Sequence, residues 1–407
     1  MKIGVLESYL GLRFFSSLFF WIIVTVELVY QATVVGLSPF QLVLVGTFLE
    51  AATFIFEIPT GIVADAYSRK LSVTVGVVLV GLGFVFEGLI PTFGAVLVAQ
   101  LIWGFGYTFI SGAREAWIAD EIGDAHAATA FIKGEQAGKI GTFVGIAASM
   151  VLANIDIRIP LIAGGLFYAL QAIYITILMP ERNFTPVAAG KRETFRSMKK
   201  VFLDGIGLIR HNRALSIIFA TSIIFGMFSE GWDRLWTPFM IGNFVFPLGG
   251  SIKPVVWFGI ITMVESLLVI VVTEIVRKRT DFSSHRSVVK SLLVSNALLM
   301  VGAVGFGFAA GFPIAVAMYW FAAVFRWLKV PLYNAWINQN AVSKAKATIF
   351  SFCSQADAIG QVAGGPILGL IAGYISLRAG IVVAGLVLLP ALFFYAYALK
   401  DRRPAPV

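Results

Sequence analysis

The sequence predicts an all-α integral membrane protein with twelve spanning helices in two pseudo-symmetric six-helix bundles. Three observations lead there. The 407 residues are 58% hydrophobic and 13% charged, with a mean hydropathy of +0.88, whereas a soluble domain carries about 25% charged residues. Twelve apolar runs each reach the length of a spanning helix, about 20 residues. The second half of the chain also repeats part of the first.

The runs follow in order. Residues 9–34 come first, too long for a cleaved signal segment and without a small-residue cleavage pattern, so they read as span 1. Spans 2 to 6 are 41–65, 70–90, 93–118, 131–153 and 159–179. Pro59, in EIPTG of span 2 beside Glu57, is expected to kink its helix. A long polar connection with KRETFRSMKK follows. Spans 7 to 12 are 215–242, 254–276, 287–309, 313–338, 347–373 and 377–399. The expected domains are an N-terminal bundle at 1–180, a cytoplasmic linker at 181–214 and a C-terminal bundle at 215–407.

The repeat is direct. REAWIADEIGDAHAATAFIKGEQAGKIG (114–141) aligns without gaps on YNAWINQNAVSKAKATIFSFCSQADAIG (333–360) with ten identities, AWI among them. It matches the end of span 4, its loop and the start of span 5 to spans 10 and 11. Parallel six-helix repeats are a transporter architecture, with the solute site at their interface.

The net charge of +9 is topological. With the N-terminus inside, 23 of the 31 cations fall in inside segments. Only Arg158, Lys253 and Arg378 fall outside. Positive-inside bias then places both termini in the cytoplasm and makes nucleic acid a poor partner. Cys353 stands alone, so no intrachain disulfide forms. His126, His211 and His285 lie in polar connections. No metal cluster, phosphate loop or nucleophile motif appears, so neither a cofactor nor an enzyme activity is expected.

GIVADAYSRK (61–70), between spans 2 and 3, carries a carboxylate and two cations between two lipid-length runs. It resembles the signature loop of the major facilitator superfamily, Gly-x-x-x-Asp-Arg/Lys-x-Gly-Arg-Arg/Lys-x-Arg/Lys. Gly61, Asp65, Arg69 and Lys70 match; Ala66, Ser68 and Ser72 depart. Twelve spans, the long central loop and the repeat extend the resemblance over the whole chain, which looks like the bacterial drug-efflux type. The resemblance implies alternating access, a small-molecule substrate, a lipid bilayer as surroundings, a monomer and the proton gradient as energy source. It also implies a cytoplasmic gate. Gly61 would let a neighbouring helix approach, and Asp65 would face the positive end of span 11 near Ala347. Arg69 would pair with Asp120 or Glu121. Arg69 and Lys70 also read as ordinary positive-inside anchors, a role that suffices for Lys70 and explains Asp65 badly.

An ionisable residue near the bilayer centre costs about 2.5–3.5 kcal/mol on insertion scales and marks function by default. Counted from span ends, Glu27, Glu50, Glu230, Asp233, Arg234, Glu265, Arg326 and Asp357 lie deepest. With no histidine in a span, a carboxylate must carry any coupled proton, and burial favours its neutral form. Glu27, in TVELVYQ with no cation within a turn, is the first candidate, against a structural glutamate bonded to a neighbouring helix. Glu50, Asp233, Glu265 and Asp357 follow. Glu230 and Arg234 are spaced to neutralise each other. Asp233 and Arg326 form the obvious interhelical pair, unless Arg326 meets an anionic solute group. Glu87, near the outer end of span 3, reads as an interface residue. Arg114 and Glu115 sit near the inner end of span 4, where an arginine can snorkel.

Trp21, Trp103, Tyr107, Phe228, Trp232, Trp236, Trp320 and Trp327 could line an amphiphile's cavity with Glu27, Glu230 and Arg326, although single aromatics also face lipid or interface. GKIGTFVG (138–145) and GQVAGGPILG (360–369) are symmetry mates, small-residue surfaces across which two halves could rock. Family antiporters carry a glycine–proline motif in span 5 and an arginine in span 4. Here the proline is Pro366 in span 11, and LIWGFGYTF (101–109) has no arginine. The expected activity is proton-coupled export of small amphiphilic or drug-like molecules from a bacterial cell. The rivals are a nutrient or metabolite symporter or uniporter and, distantly, a non-transporting sensor.

Overall fold

The computed structural model describes residues 4–186, 207, 212–250, 252–341 and 346–400. Among them are fourteen α-helices and no strand. They are α1 Val5–Thr33, α2 Pro39–Ala66, α3 Arg69–Leu89, α4 Phe93–Ile110, α5 Ala113–Ile122, α6 Asp124–Ile155 and α7 Arg158–Leu178. After the linker come α8 Arg213–Asn243, α9 Pro254–Arg279, α10 His285–Gly307, α11 Phe312–Asn340, α12 Lys346–Tyr374, α13 Leu377–Leu386 and α14 Leu389–Lys400. They supply twelve stretches long and apolar enough to cross a membrane, as the sequence predicts. The linker expected at 181–214 lies largely outside the described residues, as do His211 and the cations at 2, 191–210, 344, 402 and 403.

Local chemistry sets the helix ends. Ser68, Thr92, Asn212, Ser284 and Ser376 each accept a bond from a main-chain N–H three residues on, filling an orphan donor of the first turn. Two spans expected as single helices are broken. Gly112, at φ +72°, separates α4 from α5, a left-handed backbone that glycine alone adopts without steric cost. Pro390 lacks an N–H, so the helix stops at Leu386 and restarts as α14. By contrast, α2 runs on through Pro59.

The chain forms two compact units. One comprises Met1–Leu37, Phe48–Glu193 and Lys253–Gly259; the other comprises Ser38–Thr47, Thr194–Ile252 and Ile260–Val407. The same partnerships recur in each. In the first, α1 packs on α6, and α3 on both α4 and α7. In the second, α8 packs on α12, and α10 on α11, α13 and α14. The repeated AWI motif buries Trp117 in one core and Trp336 in the other, at 1% and 0% exposure.

Gly138, Gly141 and Gly145 lie against α1, and Gly360 and Gly364 against α8, while Gly365 and Gly369 lie against Val43 and its neighbours on α2. A Cβ at Gly141 or Gly145 would strike the main chain of Phe14 or Leu18 on α1. One at Gly360 would strike Ile223 on α8.

Candidate functional site

The second unit holds a network of charged and aromatic groups on α8, α9, α11 and α12. Arg326 on α11 donates through both terminal nitrogens to both oxygens of Asp233 on α8, at 2.5 and 2.6 Å. A third bond, at 3.0 Å, reaches Ser229 one turn earlier on α8. The fork-to-fork geometry fixes the guanidinium plane. On α9, Glu265 accepts from the Tyr319 hydroxyl at 2.8 Å and the Trp327 indole N–H at 2.9 Å. Tyr319 in turn stacks on Trp236, with ring centroids 4.3 Å apart.

Trp327 is 49% exposed, whereas Trp232 is 1% exposed and stacked on Phe228 and Tyr319, so in this conformation Trp232 offers no open surface. Trp320 donates to the main-chain oxygen of Ile261 at 2.9 Å. Glu230 and Arg234 approach to 3.7 Å along α8.

Lys329 belongs to this network, and the sequence reading passed over it. It is 6% exposed, with Nζ 3.2 Å from the Phe225 ring centroid. Its charge acts on that of Asp357, which also accepts from Gln361 at 2.8 Å. The signal was legible: a lysine inside the run 313–338, three residues after Arg326 and so on the same helical face.

The first unit holds a different polar centre. Glu27 on α1 is 5% exposed, and Gln31, Glu87 on α3 and Gln100 on α4 are all at 0%. The Gln31 amide donates to Glu27 at 3.1 Å and to Glu87 at 2.8 Å. The Gln100 amide donates to the same two residues at 2.7 and 3.3 Å. Glu87 is therefore a core residue, and its expected interface position is corrected. Sequence depth placed it near a span end, but the packing of α1, α3 and α4 encloses it. Glu50 is half-buried on α2, and Glu57 accepts from Ser111 at 3.3 Å. Trp103 packs between Phe20 and Phe84 against the core, while Tyr107, one turn on, is 49% exposed.

The loop between α2 and α3 is cross-tied within this unit. Arg69 bridges Asp65, one turn before it, and Asp120 on α5, the latter at 3.3 Å. Glu121 instead accepts from the main-chain N–H groups of Arg182 and Asn183. Lys70 donates to the main-chain oxygen of Thr176, near the C-terminus of α7, at 2.9 Å. A cation is favourable there. Glu181, which the sequence reading did not single out, accepts from the Ser68 hydroxyl and the Lys70 main-chain N–H at 2.6 and 2.9 Å. Among the described residues a Cβ at Gly61 would meet nothing within 4 Å.

Comparison with known proteins places the chain among carriers. The family model described as Major Facilitator Superfamily matches residues 9–325. A Bacillus subtilis (strain 168) protein, the uncharacterized MFS-type transporter YxaM, is 23% identical over 362 residues, covering 89% of this chain and 88% of its own. The nucleoside transporter NupG, as its D323A mutant, superposes with a TM-score of 0.80 at 14% identity, over 98% of this chain and 100% of that one. A POT family transporter in complex with 5-aminolevulinic acid gives 0.73 at 12% identity, over 97% of this chain and 96% of that one. A bacterial homolog of the human lysosomal transporter Spinster gives 0.73 at 14% identity, with the same coverage.

Proposed function

This chain belongs to the Major Facilitator Superfamily, a family of transporters rather than enzymes, and on that premise we propose a proton-coupled exporter of small amphiphilic or drug-like molecules. It works as a monomer in the cell membrane with both termini cytoplasmic, alternating access between the halves at 1–180 and 215–407. The observation that carries the solute class is Trp327. Its indole is half-exposed, yet its N–H is bonded to a carboxylate deep in a span. An indole turned only toward lipid has no use for that partner. An aromatic face beside an acid suits a flat cationic amphiphile.

The test is accumulation of fluorescent cationic and neutral amphiphiles in efflux-deficient bacterial cells expressing the protein. The expected result is lower accumulation that is lost with a protonophore or with Glu27→Gln. Unchanged accumulation across a broad panel overturns the export reading. A second reading, symport of a polar metabolite, draws on Arg326 and Lys329, which lie one turn apart and offer two cations to a carboxylate or phosphate. Nucleoside and peptide transporters among the structural neighbours suit that reading. Uptake into proteoliposomes tests it.

The loop contributes a further expectation. Asp65→Asn removes one of the two acids on Arg69, and transport is expected to fall severalfold with membrane insertion unchanged. Normal rates in vesicles, with normal protein levels, would remove the loop from the gating cycle.

A further inference from the structure

The centre formed by Glu27, Gln31, Glu87 and Gln100 needs an explanation that a single coupling glutamate does not give. Two carboxyl groups from α1 and α3 are held by the same two amide nitrogens, each within 3.3 Å of both. Their oxygens are therefore a few ångströms apart, and double ionisation sets like charges against each other in a region from which water is excluded.

A second observation is independent of the acids. The side-chain oxygens of Gln31 and Gln100 are buried with no hydrogen-bond donor among the described residues. A buried acceptor left unsatisfied costs about 1–3 kcal/mol. The two ends of a glutamine amide have nearly the same shape. Turning one end for end puts its oxygen against a carboxyl group, where only a protonated carboxyl can donate to it. One proton thus relieves the like-charge conflict and gives a turned amide oxygen a donor, while that amide's N–H groups move to the side its oxygen left. Among the described residues no group of three or more His, Cys, Asp and Glu side chains gathers to hold a metal ion.

We propose that Glu27 and Glu87 form one proton-binding site, holding a single proton between them, with Gln31 and Gln100 as cross-ties that join α1, α3 and α4. This rests on the proton-coupled reading and deepens it: the coupling unit is a pair, and Glu87 is as necessary as Glu27. The groups around the pair are consistent with that role. Tyr30 on α1 donates to the main-chain oxygen of Glu87 at 2.8 Å. Arg158, at the start of α7, acts on Tyr30 electrostatically. From α6, Ser149 presents a hydroxyl that donates to the main-chain oxygen of Ile22. When the proton leaves, the amides turn their N–H groups to two carboxylates, and the three helices are held by a different set of bonds.

The experiment is infrared difference spectroscopy of the purified full-length protein at neutral pH, reading the protonated-carboxyl stretch. The Glu27→Gln/Glu87→Gln double variant supplies the baseline, and thermal unfolding confirms that each variant is folded. The expected result is a band in the wild type that falls to the baseline in Glu27→Gln and equally in Glu87→Gln. In either variant the remaining carboxylate keeps its amide donors and loses the like charge of its pair. A band lost in only one single variant means independent sites and overturns the proposal, as does a wild type without the band. Should Glu87→Gln fail to fold, Gln100→Leu replaces it. That variant removes a cross-tie and is expected to change the band's frequency, and an unchanged frequency overturns the proposal. The band does not depend on which solute is moved or in which direction, so failure of the export reading leaves this test intact.

Discussion

Replacing Arg326 with methionine is expected to abolish transport and to lower the unfolding temperature of the purified protein. Arg326 makes three bonds with α8, two to Asp233 and one to Ser229. A hydrogen bond to a charged group contributes about 1.5–3 kcal/mol. The Asp233 side chain is 46% exposed, so solvent screens part of that charge and the low end of the range applies. Even about 1.4 kcal/mol is roughly tenfold in a rate or an equilibrium. The substitution also removes the cation that acts on Glu265, whose carboxylate orients Trp327 and Tyr319. Asp233→Asn in the same background removes the stranded carboxylate and is expected to restore most of the thermal stability without restoring transport. Recovery of both would make the pair purely structural. A wild-type rate for Arg326→Met alone would take it out of the solute path.

Depth was legible in the sequence, and facing was not. Position along a span follows from counting, which puts Asp233, Glu265, Arg326 and Asp357 well inside their runs. Lys329 obeyed the same count and was missed by omission. Rotation about the helix axis is another matter. In a soluble protein the polar face of a helix marks its outside. Here the outside is as apolar as the core, with Ile177 72% and Val151 68% exposed, so periodicity carries no such mark. That is why Trp232 and Trp103, read as cavity aromatics, turn out to pack against the core. Glu87 reads as a membrane-interface residue because it lies near the end of α3, and only the packing that brings Gln31 and Gln100 against it makes it core. Pairing within one helix, as for Glu230 and Arg234, needs only the spacing of residues. Pairing between helices, as among Glu27, Glu87 and Gln100, needs the fold.

The glycine faces were likewise visible as small-residue runs, but their partners were not, and those partners yield a second large expected effect. Gly226 on α8 and Gly360 on α12 lie against each other's helices. A Cβ at Gly226 would run into the main chain of Asp357, and one at Gly360 into the main chain of Ile223. The obstacles are backbone atoms, so no change of rotamer clears them and the helices must separate. Overpacking costs about 1–3 kcal/mol when side chains can adjust, and Gly360→Leu is expected at or above the top of that range. The displaced stretch carries Asp357, and with it the groups around Lys329, so transport is expected to fail in whatever fraction remains folded. Gly94→Ala is the matched control, because a Cβ there meets nothing within 4 Å; it is expected to leave stability unchanged or raise it slightly. Thermal unfolding and size-exclusion profiles of the two variants in one detergent decide the matter. A Gly360→Leu protein as stable as Gly94→Ala would mean that α8 and α12 can part without loss. The reciprocal test uses Gly141 on α6, which lies against Phe14 of α1 as Gly360 lies against Ile223 of α8. If the repeat reflects shared packing rather than shared ancestry alone, Gly141→Leu carries a loss of the same size.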